Sequence, residues 1–269
     1  MSNKNLKLFC VTDKVLNYHK KLPYIYAGVG KALFPSNYLL SNNLININHK
    51  EKYYSELTFQ YWFWKNKLYK VKKNTWIGFC QKRRFWIKKN KIKSKINIDN
   101  VEKNVIYSMP KEWKEKESVI CDPIYVNNVK KIKLLKRGIK SLINNPLIFF
   151  DKKKQTIKLH FDMHHGYGNL DKAINLLSIS DREEFRAYVN NNISFNPHIM
   201  FIAKAGIAEK WFSSLFPWLF KCEKIFGFKT LHGYDSQRLY AYLAERYLSF
   251  WFKKYTKYIE WPYITFSNN

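Results

Sequence analysis

Three groups of residues have the types and spacing for chemistry. Arg83-Arg84 is the only adjacent arginine pair, and it closes the tetrad Gln81-Lys82-Arg83-Arg84. A guanidinium's planar fork donates two parallel hydrogen bonds to a phosphate or carboxylate, so this tetrad can neutralise a diphosphate. The competing reading is a surface loop that continues the cationic run Lys88–Lys95. His160, Asp162 and His164 fall at i, i+2 and i+4, which on a strand sets all three on one face. That is an acceptable ligand set for a divalent metal, with His165 beside it. The same segment, ending in Gly166-Tyr167-Gly168, reads equally as a substrate-binding loop or a structural turn. Arg238, Tyr242 and Glu245 share a helix face at spacings of four and three, with Arg246 adjacent. Glu245 there can take a proton or hold a hydroxyl. A salt bridge to Arg238 or Arg246 is the bland alternative, because buried charges must be paired. Glu56 carries the same ambiguity, and Asp171 is a further carboxylate.

These groups need elements to hold them. Lys7–Thr12 reads as a short buried strand that ends in the polar turn Thr12-Asp13-Lys14, and Trp76–Cys80 as a second strand running straight into the arginine tetrad. Between them, Tyr53–Lys67 has helical period and many aromatics. Lys82–Lys95 holds eight cations and no acid, the pattern of a solvated loop. Val105–Met109 and Ser118–Cys121 are short strand candidates, and Lys130–Ile143 an amphipathic helix closed by Asn144-Asn145-Pro146. Thr156–Phe161 alternates like a strand and leads into the histidines. Asn169–Leu177 is a short helix, Ser180-Asp181-Arg182-Glu183 has the capping-box pattern that starts another, and His198–Ala203 is a buried strand. Two long helices follow, about 205–226 and 235–254. Alternating strands and helices without repeat or linker predict a single-domain α/β fold over residues 1–269.

Composition bounds the partners. The chain has 269 residues and a formal net charge of +28, with 46% hydrophobic and 18% aromatic residues, too apolar for a disordered basic tail. Such charge attracts nucleic acid, lipid headgroups or nucleotide phosphates. Only seven of the 48 cations are arginine, and abundant lysine, asparagine and isoleucine are what an AT-rich genome produces without selection for binding. Four scattered cysteines without a Cys-x-x-Cys pair argue against zinc ribbons and disulfide scaffolds. The opening Met1-Ser2-Asn3-Lys4-Asn5-Leu6 lacks the apolar core of a signal peptide. No G-x-x-x-x-G-K, G-x-G-x-x-G, G-x-S-x-G or H-E-x-x-H occurs, and Gly28-Val29-Gly30 alone is a weak phosphate signal. The eight aspartates never fall two apart, so there is no D-x-D metal clasp. Trp62, Trp64, Trp76 and Trp86 read as core more readily than as stacking platforms. Trp211–Phe220 reads as a buried helix more readily than as an interfacial anchor.

Glu56-Leu57-Thr58 with Tyr61-Trp62-Phe63-Trp64-Lys65-Asn66, then Ile77-Gly78-Phe79-Cys80-Gln81-Lys82-Arg83-Arg84-Phe85 and the late Tyr242-Leu243-Ala244-Glu245-Arg246, resemble the DUF4422 family of bacterial capsular and exopolysaccharide biosynthesis proteins. The resemblance runs over nearly the whole chain. Gln81 and Lys82 replace the family's usual His-Tyr, Asn169-Leu170 stands for Asp-Leu, Ile199-Met200-Phe201-Ile202 lacks the usual Asn, and Ala241 replaces Gly.

The family is similar to nucleotide-sugar glycosyltransferases of the GT-A fold. The resemblance therefore implies a GT-A-like, Rossmann-like mixed sheet flanked by helices. It also implies transfer of a sugar, with a UDP-sugar as the first donor, to a lipid-linked or oligosaccharide acceptor. The protein would be cytoplasmic, at the anionic inner-membrane face and among other capsule biosynthesis enzymes. Donor contacts fall on Thr12, Asp13, Lys14, Glu56, Gln81, Lys82, Arg83 and Arg84. The arginine pair stands about where D-x-D is usual, so a divalent metal is not required. Acceptor contacts fall on His164, Arg238, Tyr242 and Arg246, and base candidates are Glu245, Asp171 and His165. A basic nucleic-acid-binding protein and a catalytically inactive scaffold of a capsule assembly complex are the alternatives. No nucleic-acid-binding motif supports the first, so nucleic acid is not an expected partner.

Overall fold

In a computed structural model, residues 5–15, 22–91 and 95–266 are described. The reading of the opening four residues, and of Lys93 in the cationic run, falls outside them. The chain divides into two compact units. The first comprises Met1–Asp122, His198–Ser214 and Phe252–Asn269, and the second Pro123–Pro197 and Leu215–Trp251.

In chain order the first unit opens with strands β1 (Leu6–Thr12), β2 (Ile25–Gly28) and β3 (Leu39–Leu40), then helices α1 (Glu51–Tyr54) and α2 (Leu57–Asn66). Strands β4 (Trp76–Gln81) and β5 (Arg84–Trp86), helix α3 (Val101–Asn104) and strand β6 (Ser118–Cys121) follow. The second unit adds β7 (Ile124–Tyr125), α4 (Lys131–Arg137), α5 (Ile139–Asn144), α6 (Ile157–His165), α7 (Asn169–Ile174), α8 (Ile179–Asn191) and β8 (Ser194–Phe195). Then come β9 (Phe201–Lys204), the long α9 (Ala205–Phe226), α10 (Gly233–Gln237), α11 (Leu239–Tyr255), β10 (Tyr258–Trp261) and β11 (Tyr263–Thr265). Both α9 and α11 give residues to each unit.

The first unit is built on one mixed sheet ordered β10-β6-β9-β4-β1-β2-β3, with β5 bridging β4 and β11. β1 lies parallel between β2 and β4, while β9 runs antiparallel to both β4 and β6. Side chains alternate across a sheet, and the two faces are both apolar, as expected when both are covered. Leu8 and Cys10 face a core with Trp76, Trp86, Trp113 and Trp261. Phe9 faces the other side, with its ring 4.8 Å from Phe63 of α2 and 5.6 Å from Phe79 of β4. Burying that much aromatic surface is the main force holding the sheet. The mixed α/β architecture anticipated from the sequence is what forms.

Several predicted elements differ. Tyr53–Lys67 is two helices, broken at Ser55, whose φ of 52° no right-handed helix tolerates. Lys130–Ile143 is likewise two, interrupted at Gly138, and the predicted helix 235–254 is interrupted at Arg238. Val105–Met109 makes only an isolated bridge from Val105 to Ile87. The cationic run is not all loop: Phe85, Trp86 and Ile87 are buried, and β5 sits within it. Helix α8 starts after Ser178 rather than Ser180, without a side-chain capping bond, and Glu183 pairs with Arg186 instead of closing a box. The largest correction is Thr156–Phe161, which is helix rather than strand. Thr156 caps α6, accepting a hydrogen bond from the amide of Leu159. Trp62, Trp76, Trp86, Trp211 and Trp218 are buried, as their core readings required, whereas Trp64 is only half-buried, with the Lys65 ammonium over its ring.

Candidate functional site

The predicted residues fall into two groups, one in each unit. In the first unit, β1 and β4 are in register from Leu6↔Trp76 to Val11↔Gln81, so both strands end together. The turns beyond them therefore meet. Asp13 forms a 2.5 Å ion pair with Lys82, tying the end of β1 to the end of β4. The Thr12 hydroxyl is buried against its own turn, where it bonds the carbonyl of Lys14 and accepts from the Lys14 amide at 3.2 Å. Gln81 is buried, and its side-chain carbonyl accepts a hydrogen bond from a terminal nitrogen of Arg84. The Nε of Arg84 is buried without a partner among the described residues. Arg83 holds the edge through its carbonyl, which accepts from the amide of Phe266 at 2.9 Å. Glu56 stands half-buried at the start of α2.

The same edge includes the end of β2, which runs into Gly28-Val29-Gly30. Thr12 pairs with Gly28, and Gly30 takes φ +78°, a conformation natural to glycine. Asn48 clamps Gly30 on both sides, its side-chain oxygen accepting from the Gly30 amide at 3.0 Å and its amide donating to the Gly30 carbonyl at 3.1 Å. Ser41 bonds the Gly28 carbonyl and the Asn48 side chain. Asn48 and Ser41 lie far enough along the chain that no local pattern marks them. The glycine pair directly after a strand was the one available cue.

In the second unit, α6 and α11 carry the second group. Arg246 is 1% exposed. Its guanidinium lies 3.8 Å from the centre of the Phe195 ring, bonds the carboxylate of Glu245, and reaches His160 Nδ1 at 3.2 Å. His165 stacks on Tyr242 at 3.7 Å, and its Nδ1 meets the carbonyl of Asp235 at 2.7 Å. Arg137 reaches His164 Nδ1 at 3.2 Å and the Asp235 carboxylate at 2.8 Å.

These partners fix the tautomers. Arginine only donates, so His160 and His164 accept at Nδ1 and carry their hydrogen on Nε2. A carbonyl only accepts, so His165 donates from Nδ1 and keeps its lone pair on Nε2. Burial, with the nearby Arg246 cation, pushes His160 down to about 2 and His165 down to about 3. Burial, with Lys133 and Arg137, lowers His164 to about 4. All three are neutral near neutrality. Burial raises the Tyr242 hydroxyl to about 12.

The metal alternative loses its geometry. On helix α6, His160 and His164 share a face while Asp162 points elsewhere, because successive residues turn 100° rather than 180°. Asp162 instead pairs with Lys158 and accepts from the Gly168 amide at 3.1 Å. No cluster of three His, Cys, Asp or Glu suited to a metal occurs among the described residues. Asp171 is held by Lys158 at 2.9 Å and by Arg186 at 3.7 Å, apart from the histidines' hydrogen-bonding partners. Arg238 sits at the junction of α10 and α11.

The family model described as "Domain of unknown function (DUF4422)" matches residues 7–257. The chain belongs to the DUF4422 family. Among solved structures, the apo structure of the WbbM bifunctional glycosyltransferase is similar, with a TM-score of 0.70 at 18% sequence identity. The similarity covers 98% of this DUF4422 chain and 46% of that one, so the chain spans about half the length of the protein it matches. At that identity the likeness is one of fold. No curated protein matches the chain.

Proposed function

We propose that this DUF4422 protein is a glycosyltransferase that moves a sugar from a nucleotide-sugar donor, a UDP-sugar first, to an acceptor of a surface polysaccharide. The observation that carries the reading is Arg84. It is oriented by Gln81 at the carboxyl end of a strand, with a buried Nε that has no partner among the described residues, in a chain without D-x-D. Ligands of open α/β sheets gather at the carboxyl ends of strands. There Arg83 and Arg84, with Lys82, would bind the leaving diphosphate directly and stabilise the charge that develops on it. Asp13, Lys14 and Glu56 would contact the nucleoside, with the buried Thr12 holding the turn that carries Asp13 and Lys14. A metal is not required in this reading.

In the second unit, His164, Tyr242 and Arg238 would hold the acceptor, while the buried Arg246 would position Glu245 and His160. The Nε2 hydrogens of His160 and His164 suit sugar hydroxyls. Glu245 and His165 are the candidate bases, since Asp171 is engaged by two cations. The acceptor is lipid-linked or an oligosaccharide, met at the inner-membrane face alongside other capsule biosynthesis enzymes.

The test is a thermal-shift screen against UDP-, GDP-, CMP- and dTDP-sugars with and without EDTA. One nucleotide should raise the melting temperature in both conditions, and Arg84→Ala should abolish the shift. A response that appears only with Mn²⁺ would overturn the direct arginine contact. No response to any donor would overturn the transferase reading.

A further inference from the structure

Between Asp122 and Asp151 the sequence has no acidic residue. This segment folds into α4, α5 and the turn Pro146–Phe149, and it carries two apolar faces rather than one. Leu134, Leu142 and Ile148 pack inward on Leu159 and Met163. That set accounts for the core face of an amphipathic helix. A second set points to water: Ile132 and Leu135 on α4, three residues apart, and Ile139 and Ile143 on α5, four apart, followed by exposed Leu147 and Phe150. Ile143 is 74% exposed and Phe150 78%. Contiguous exposed apolar surface of this kind marks an interaction site. Exposed cations interleave with it: Lys133, Lys136, Arg137 and Lys140 along the helices, then Lys152-Lys153-Lys154 after Phe150.

We propose that this face of the second unit docks on an anionic phospholipid bilayer. The apolar stripe would enter the boundary between headgroups and acyl chains while the lysines meet lipid phosphates. Charge complementarity selects this occupant. A second copy of the chain would bring the same cationic surface against itself. Nucleic acid would satisfy the lysines but offer no apolar partner to Ile143 and Phe150. No helix among the described residues is long and apolar enough to cross a membrane, so the segment lies on the surface. The buried Trp211–Phe220 stretch has no such apolar face to offer.

Arg137 joins the docking face to His164 and Asp235, so a bilayer held here would lie beside the histidine group of the same unit. The purpose of docking rests on the transferase reading, but lipid binding itself does not. The two fail separately.

Sedimentation of the full chain with phosphatidylcholine vesicles, with and without phosphatidylglycerol, tests the docking. Binding should require phosphatidylglycerol and weaken in high salt. Ile143→Glu/Phe150→Glu should lower it by at least about tenfold, from the apolar area withdrawn from the bilayer. Both sites are exposed, so the variant should melt like the parent and keep its donor-induced thermal shift. Lys136→Glu/Lys140→Glu should lower binding similarly while leaving the apolar stripe intact. No binding to anionic vesicles, or binding unchanged in both variants, overturns the proposal. So does a dimer of the parent that Ile143→Glu/Phe150→Glu converts to monomer, since the stripe would then face a second copy.

Discussion

Arg246 concentrates the problem of a charged group placed away from water. It is buried, with its guanidinium over the Phe195 ring, and it bonds both Glu245 and His160. Removing one partner of such a pair leaves the other uncompensated, which costs about 3–5 kcal/mol. Arg246→Ala should lose that much stability in urea denaturation, and Arg246→Lys should recover little, because an ammonium cannot stack and fork at once. A loss below about 1 kcal/mol in the alanine variant would show the pair to be dispensable. The Glu245-Arg246 pairing was legible in the sequence as one of two readings, because adjacent charges on an aromatic helix have few other ways to be satisfied. The neighbourhood of the histidines was not. His160 and His164 reach Arg246 and Arg137 only through tertiary contacts that no spacing encodes.

At the scale of elements, the central strands β1, β4, β6 and β9 and most helical segments were legible, while the short strands β2, β3, β5, β10 and β11 and the helix breaks were not. The apolar runs of β1, β4 and β6 announce buried strands wherever they occur. Gly78 sits mid-strand between Leu8 and Ile202, where an added Cβ would come within 2.6 Å of both side chains. Gly78→Ala should therefore destabilise the first unit by about 1–3 kcal/mol through overpacking, read as a lower urea midpoint. An unchanged midpoint would mean that β1 and β9 can spread at that point. Residues 156–165 misled for a physical reason. Ile157, Leu159, Phe161 and Met163 alternate because α6 is buried on most of its sides, so helical and strand periods both fit. The backbone turn at Ser55 has no sequence cue, since serine is not a residue that φ 52° favours.

For the molecule as a whole, charge and acid sensitivity are linked. In the unfolded chain the histidines titrate near 6.5, whereas in the folded protein His160, His164 and His165 are lowered to about 2, 4 and 3. Their burial penalty is therefore silent above about pH 6.5. As pH falls below that value the unfolded state takes up protons first, and stability drops progressively toward the folded values. The buried His165 alone should contribute up to about 1.4 kcal/mol per pH unit in that window. Thermal unfolding compared at pH 7 and pH 5 should show the midpoint falling, with a shallower fall in His165→Gln. A flat midpoint would mean that the histidines can be protonated in the folded state. Protonation of carboxylates in the lower part of the same range raises the folded chain's own charge above +28, so self-repulsion in the compact state adds to the fall.

The sheet order also governs how this chain can be made. β4 ends at residue 81, but its neighbour β9 begins at 201 and the strand beside β6 begins at 258. A nascent chain leaving the ribosome at about 5–20 residues per second carries the unpaired edge of β4 for several seconds. Contacts so distant in sequence also close slowly once available. Translation speed and chaperone supply, more than final stability, should thus set the yield of soluble protein during expression.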